Sequence, residues 1–146
     1  MADTNRTKMT SAAMIRGLMT ELSMANRVWN RASQLVGRPG PQSGDTELSA
    51  MLLAHNITMN GGVLHCVEAL SAEELDSALH GYRYFGLNDA AQIIEEARSV
   101  PPEDAVEAEG RLDAAYAAAV PTDSLLAATF EAHLRRHPEA YGPVES

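Results

Sequence analysis

The sequence predicts an all-α protein: a single compact domain of about six to seven helices. Three observations carry that reading. Apolar residues recur at steps of three and four rather than two. Alanine is abundant. Glycine or proline stands wherever the periodicity stops. With 146 residues, 45% of them apolar, the chain is long enough to bury a core without disulfide, metal or cofactor.

The first helix is expected from about Thr10 to about Val36. Ala13, Met14, Leu18, Leu22, Ala25, Val28, Trp29, Ala32 and Leu35 form one continuous stripe along it. Gly37 stops this helix, and Pro39 and Pro41 keep it stopped. Residues 1–44 therefore read as a long N-terminal helix with a Gly/Pro loop, 45–142 as the main helical domain, and 143–146 as a tail. A second helix, Asp45 to Thr58, carries Leu48, Met51, Leu52 and His55 on one face. Asn60-Gly61-Gly62 breaks it as a tight structural turn, because paired glycines permit positive φ or close backbone approach. A short helix, Val63 to Leu70, follows.

Ser71-Ala72-Glu73-Glu74 is a capping box, with Leu70 and Leu75 placed as its hydrophobic staple. The helix it opens shows Leu75, Ala78, Leu79, Tyr82 and Phe85 to the core and ends at Gly86. Asn88 is expected to cap the next, with Ala90, Ala91, Ile93, Ile94 and Ala97 inward and a stop at Val100-Pro101-Pro102. The last two helices are expected over Glu103–Ala119 and Asp123–His137.

Twenty acidic residues against eleven basic ones give a net charge of -9, which argues against direct contact with nucleic acid or anionic membrane. The excess is local. Residues 68–113 hold twelve acids and three bases, whereas residues 1–67 hold four and six. Acids in first helical turns suit the helix dipole; as a surface they also attract a basic partner. The single cysteine, Cys66, excludes a disulfide framework. The polar start, Met1 to Lys8, lacks an apolar stretch behind it, and a cytoplasmic protein is expected.

Catalytic and metal patterns are weak. His133 and His137 are four apart, but Arg135 and Arg136 lie between them and repel a metal ion, so no metal site is expected. Neighbouring helical positions point about 100° apart, which makes His65 and Cys66 a poor catalytic pair. Cys66 reads as a small buried residue, and His65 as a hydrogen-bonding residue of the core. Tyr82, Tyr84 and Phe85 lack a surrounding basic patch, so they read as core packing and not as a stacking platform for bases.

The stretch HNITMNGGVLHCVEAL, then ELDSALHGYRYFGLNDAAQIIEEA, and the tail LDAAYAAAVPTDSLLAATFEAHLRRHPEAY resemble the family of the bacterial DNA mimic protein nineteen, over about Asp45 to Gly142. Val63, Leu64 and His65 depart from the aromatic residues the family often carries after the glycines. The resemblance implies an all-α fold, commonly dimeric, without enzymatic activity. Its founding member occupies a helix-turn-helix regulator with a DNA-like acidic surface, and other members belong to toxin–immunity loci.

The leading expectation is a non-enzymatic acidic binding protein that engages a basic protein partner, either a DNA-binding regulator or a toxin. Glu73, Glu74, Asp76, Glu95, Glu96, Glu103, Asp104 and Glu107 are its contact residues. Two other readings stand beside it. One is a ligand or enzymatic pocket at the glycine turn, using Asn60, His65, Cys66, Tyr82 and Tyr84. The other is a structural homodimer, marked by an exposed apolar patch around Leu18, Leu22 and Trp29.

Overall fold

Caps, glycines and prolines delimit the helices much as their spacing suggests, with the main shifts at the helix ends. The computed structural model describes the backbone of residues 2–144 and the side chains of residues 11–144. Seven helices follow one another: α1 (Ala2–Leu35), α2 (Ser43–Gly61), α3 (Val63–Ala69), α4 (Ala72–Tyr84), α5 (Asn88–Arg98), α6 (Ala105–Ala119) and α7 (Asp123–Arg136). Short 3₁₀ turns span Pro102–Asp104 and Pro138–Ala140. No strand occurs among the described residues, and the helices form one compact all-α arrangement.

Several ends differ from expectation. α1 begins at Ala2 rather than Thr10, since neither glycine nor proline interrupts residues 2–10. It ends at Leu35, because Val36 already has φ 52°. α2 runs on through Asn60 and Gly61; of the expected three-residue break only Gly62 leaves the helix, at φ 95°. Leu87, not Asn88, takes the N-cap place of α5, as its amide is bonded back to the Tyr82 carbonyl. The 3₁₀ turn after Pro101 delays α6 to Ala105, and α7 stops at Arg136, one residue early.

The central pair is α2 with α4. A Cβ at Gly81 would sit 2.7 Å from the Glu47 carbonyl oxygen, so the missing side chain lets the two backbones meet. Leu48 and Met51 of α2 and Leu75, Ala78, Leu79 and Tyr82 of α4 are buried. The capping box of α4 forms as expected: the Glu74 amide donates to Ser71 Oγ at 3.1 Å, and the Ser71 amide donates to Glu74 Oε1 at 2.9 Å. A cap of this kind stabilises by about 1 kcal/mol. Ile94, Leu112, Leu126 and Phe130 close the core from α5, α6 and α7.

Only the last part of α1 joins this core, through Ala25, Val28 and Ala32. A helix of 34 residues is ~51 Å long, whereas a small domain is ~30 Å across. The stripe therefore outruns its cover. Met14, Ile15, Leu18, Met19 and Leu22 are each more than half exposed. Trp29 is half-buried rather than exposed, with its ring centroid 5.8 Å from that of Phe130.

Candidate functional site

The acidic residues lie on three helices and the 3₁₀ turn that joins two of them. Glu73, Glu74 and Asp76 occupy the first two turns of α4, Glu95 and Glu96 the last turn of α5, Glu103 and Asp104 the 3₁₀ turn, and Glu107 the first turn of α6. All are exposed except Glu95, which is half-buried. Two ion pairs tie the elements together. Arg98 Nη1 lies 2.7 Å from Asp76 Oδ1, linking α5 to α4, and Arg111 Nη1 lies 2.8 Å from Glu96 Oε1, linking α6 to α5. These bridges bring the start of α4, the end of α5 and the first half of α6 side by side. They also neutralise two of the eight carboxylates. Glu73, Glu74, Glu95, Glu103, Asp104 and Glu107 face no described cationic side chain within bridging distance. Exposed bridges of this type contribute about 0–1 kcal/mol, so α4, α5 and α6 are held mainly by the apolar core beneath them.

Two carboxylates elsewhere, Asp45 and Asp113, serve the fold. Asp45 is fully buried and accepts from Arg31 Nη2 at 2.7 Å, from the Gly142 amide at 2.7 Å and from the Gln42 amide at 3.2 Å. Arg31 also donates to the carbonyls of Gly142 and Pro143, each at 2.9 Å. One buried acid thus fastens α1, the start of α2 and the C-terminal segment. Asp113 of α6 accepts from the Val63 amide at 2.9 Å and so caps α3 from across the core. A Cβ on Gly62 would lie 3.0 Å from Asp113 Oδ2, which, with the positive φ, explains the glycine.

A second network, buried at His55, Tyr82 and Tyr116 and open to solvent at Asp123, was not anticipated. His55 Nε2 lies 2.8 Å from Asp123 Oδ1 and Nδ1 lies 2.7 Å from the Tyr116 hydroxyl, which is 2.7 Å from that of Tyr82. Each of these contacts is a hydrogen bond if Tyr82 donates to Tyr116, Tyr116 donates to His55 Nδ1, and His55 Nε2–H donates to Asp123. Burial pushes both phenols above their ordinary range and also raises the Cys66 thiol. Cys66 is fully buried, with Sγ 3.6 Å from the Ala54 carbonyl. A protonated, enclosed thiol is a poor nucleophile.

The five residues expected around the glycine turn do not converge. Asn60 and His65 are exposed, Cys66 and Tyr82 are inside, and Tyr84 belongs to a separate aromatic cluster. His65 is thus no core hydrogen-bonding residue: its position on the short α3 turns it outward. In the aromatic cluster, His133 packs among Tyr84, Phe85, His137 and Tyr141, with Nδ1 2.8 Å from the Tyr141 hydroxyl. Burial, then the neighbouring positive charge of His137 and Arg136, holds its imidazole below the ordinary range.

Two adjacent hollows run between α1 and α7. The first, about 430 Å³, is lined by Leu18, Leu22, Ala25, Leu134 and Pro138. The second, about 360 Å³, lies over Trp29 and Phe130 and carries Asp123 and Glu131. Ala25 and Glu131 line both, so the two adjoin; the first also carries Glu21 and Arg135, so charged side chains border both.

Neither the curated proteins nor the solved structures contain a match to this chain. The model of the family described as DMP19-like protein matches residues 43–138, from the first residue of α2 to just past α7. That span holds the buried network and all eight surface carboxylates, and the chain belongs to the DMP19-like protein family.

Proposed function

We propose that this is a non-enzymatic binding protein whose acidic face engages a basic protein partner, by DNA mimicry toward a DNA-binding regulator or by toxin neutralisation. The observation that carries the reading is the convergence of α4, α5 and α6, fastened by Asp76–Arg98 and Glu96–Arg111, with six further carboxylates left unbridged around those pairs. Such a surface attracts basic grooves at long range and accelerates encounter. Family membership supports the mimic version, and the protonated, buried Cys66 supports a role without nucleophilic chemistry.

Affinity for candidate helix-turn-helix regulators and basic toxins, measured at about 0.05 M and about 0.5 M salt, tests the reading. Binding is expected to weaken at least tenfold at the higher salt. An authentic partner held equally well at both would end it. Operator DNA should compete with this protein for a regulator and should leave a toxin complex untouched, which separates the two versions.

A further inference from the structure

The geometry points to a binding site for a linear aliphatic diamine in the hollow over Trp29 and Phe130. One ammonium group lies at Asp123, the other at Glu131, and the carbon chain runs between them along the indole. The site uses none of the eight surface carboxylates and does not rest on their engaging a partner.

The spacing on α7 sets the length of the ligand. Asp123, Ala127 and Glu131 follow one another at intervals of four, so all three stand on one side of the helix. The two acids are eight residues apart, a rise of ~12 Å. Their side chains tilt the same way along the helix, so the carboxylates keep about that separation. Between them on that side stands the methyl group of Ala127, which lines the hollow of about 360 Å³, a volume within the range of small-molecule sites. A metal ion coordinated by both acids needs their oxygens within about 5 Å of each other, so the separation selects a long cation instead. Two ammonium groups, each about 3 Å from a carboxylate, leave ~6 Å between their nitrogens, the span of a short alkyl chain.

The rest of the hollow suits such a molecule. Its lining includes Asp123 and Glu131 but neither lysine nor arginine. Arg135 borders the adjoining hollow, and its Nε donates to the Glu131 backbone carbonyl at 3.4 Å. Asp123 is held from beneath: the His55 side chain, 5% exposed, meets Oδ1 at 2.8 Å, whereas the Asp123 side chain is 79% exposed and offers its other oxygen to a ligand. Asn56 and Ser124, the sequence neighbours of His55 and Asp123, line the same hollow and add oxygen acceptors for the remaining N–H groups of an ammonium. Opposite α7 stands Trp29 of α1, its ring centroid 5.8 Å from that of Phe130. An indole face accepts methylene groups by dispersion and attracts the positive charge at their ends.

Isothermal titration calorimetry of the full chain with putrescine, the four-carbon diamine, at constant ionic strength tests the site. One molecule should bind per chain, and butylamine, with one ammonium group, should bind at least about tenfold more weakly. Asp123→Asn keeps an oxygen for His55 to donate to, and Glu131→Gln keeps the shape of its side chain; each should lower putrescine affinity about tenfold. Ala127→Leu leaves both charges in place but fills the hollow, and should abolish the binding heat. The helical circular dichroism of all three variants should match that of the natural chain. Absence of saturable binding, butylamine bound as tightly as putrescine, or affinity unaltered in any of the three variants would overturn the proposal. Neutralising Glu103, Asp104 and Glu107 together should leave putrescine affinity unchanged; a loss there would move the diamine to the acidic face and overturn it as well.

Discussion

Asp45 and Glu103 are carboxylates near the starts of helices, yet they do opposite work. Asp45 is buried, meets an arginine and two backbone amides, and joins three parts of the chain. Glu103 lies in an exposed turn and meets no described base. Burial decides the difference. An interior charge must find partners and then becomes structural, whereas a surface charge keeps its water and remains available to another molecule. Acidic residues therefore divide into those that hold this fold and those it displays.

The sharpest way to break that division is Asp45→Ala. It strands the Arg31 guanidinium and frees the C-terminal segment, so unfolding free energy should fall by about 3–5 kcal/mol in urea titration. Gly62→Ala tests the other structural carboxylate, the half-buried Asp113. A side chain at φ 95° and 3.0 Å from Asp113 Oδ2 should cost about 2 kcal/mol, more than the removal of a typical exposed side chain. The next effect is one of pH. The folded state holds His133 below its ordinary pKa, so the unfolded chain takes up the proton first, and stability should fall as pH drops below about 6.5. A His133→Phe variant should show a flatter urea midpoint between pH 7.5 and 5.5; an unchanged slope would place the acid sensitivity elsewhere. The smallest effect belongs to the displayed acids. Glu103→Gln with Asp104→Asn and Glu107→Gln should shift stability by less than about 0.5 kcal/mol per site while weakening a basic partner's binding.

Local features were legible in the sequence and distant ones were not. The Ser71 box, the core face of α4 and the Gly86 stop depend on residues within a few positions of each other, and each stands where the spacing put it. The roles of Asp45 and Asp113 depend on partners 97 and 50 residues away, which no periodicity encodes. The same holds for His55, whose apolar-face position was clear but whose bonds to Tyr116 and Asp123 span 61 and 68 residues. For α1 the periodicity showed which face is apolar, not where the cover ends. Among the expected contact residues, exposure was readable for all but Glu95, which is half-buried. That Arg98 and Arg111 neutralise Asp76 and Glu96 emerges only when three helices are set side by side.

Trp29 is the chain's one tryptophan, and it lines the second hollow, against Phe130. Its indole is therefore a native optical gauge of the packing between α1 and α7. Emission should shift to longer wavelength as urea opens that contact and water reaches the ring, with no label introduced anywhere in the molecule.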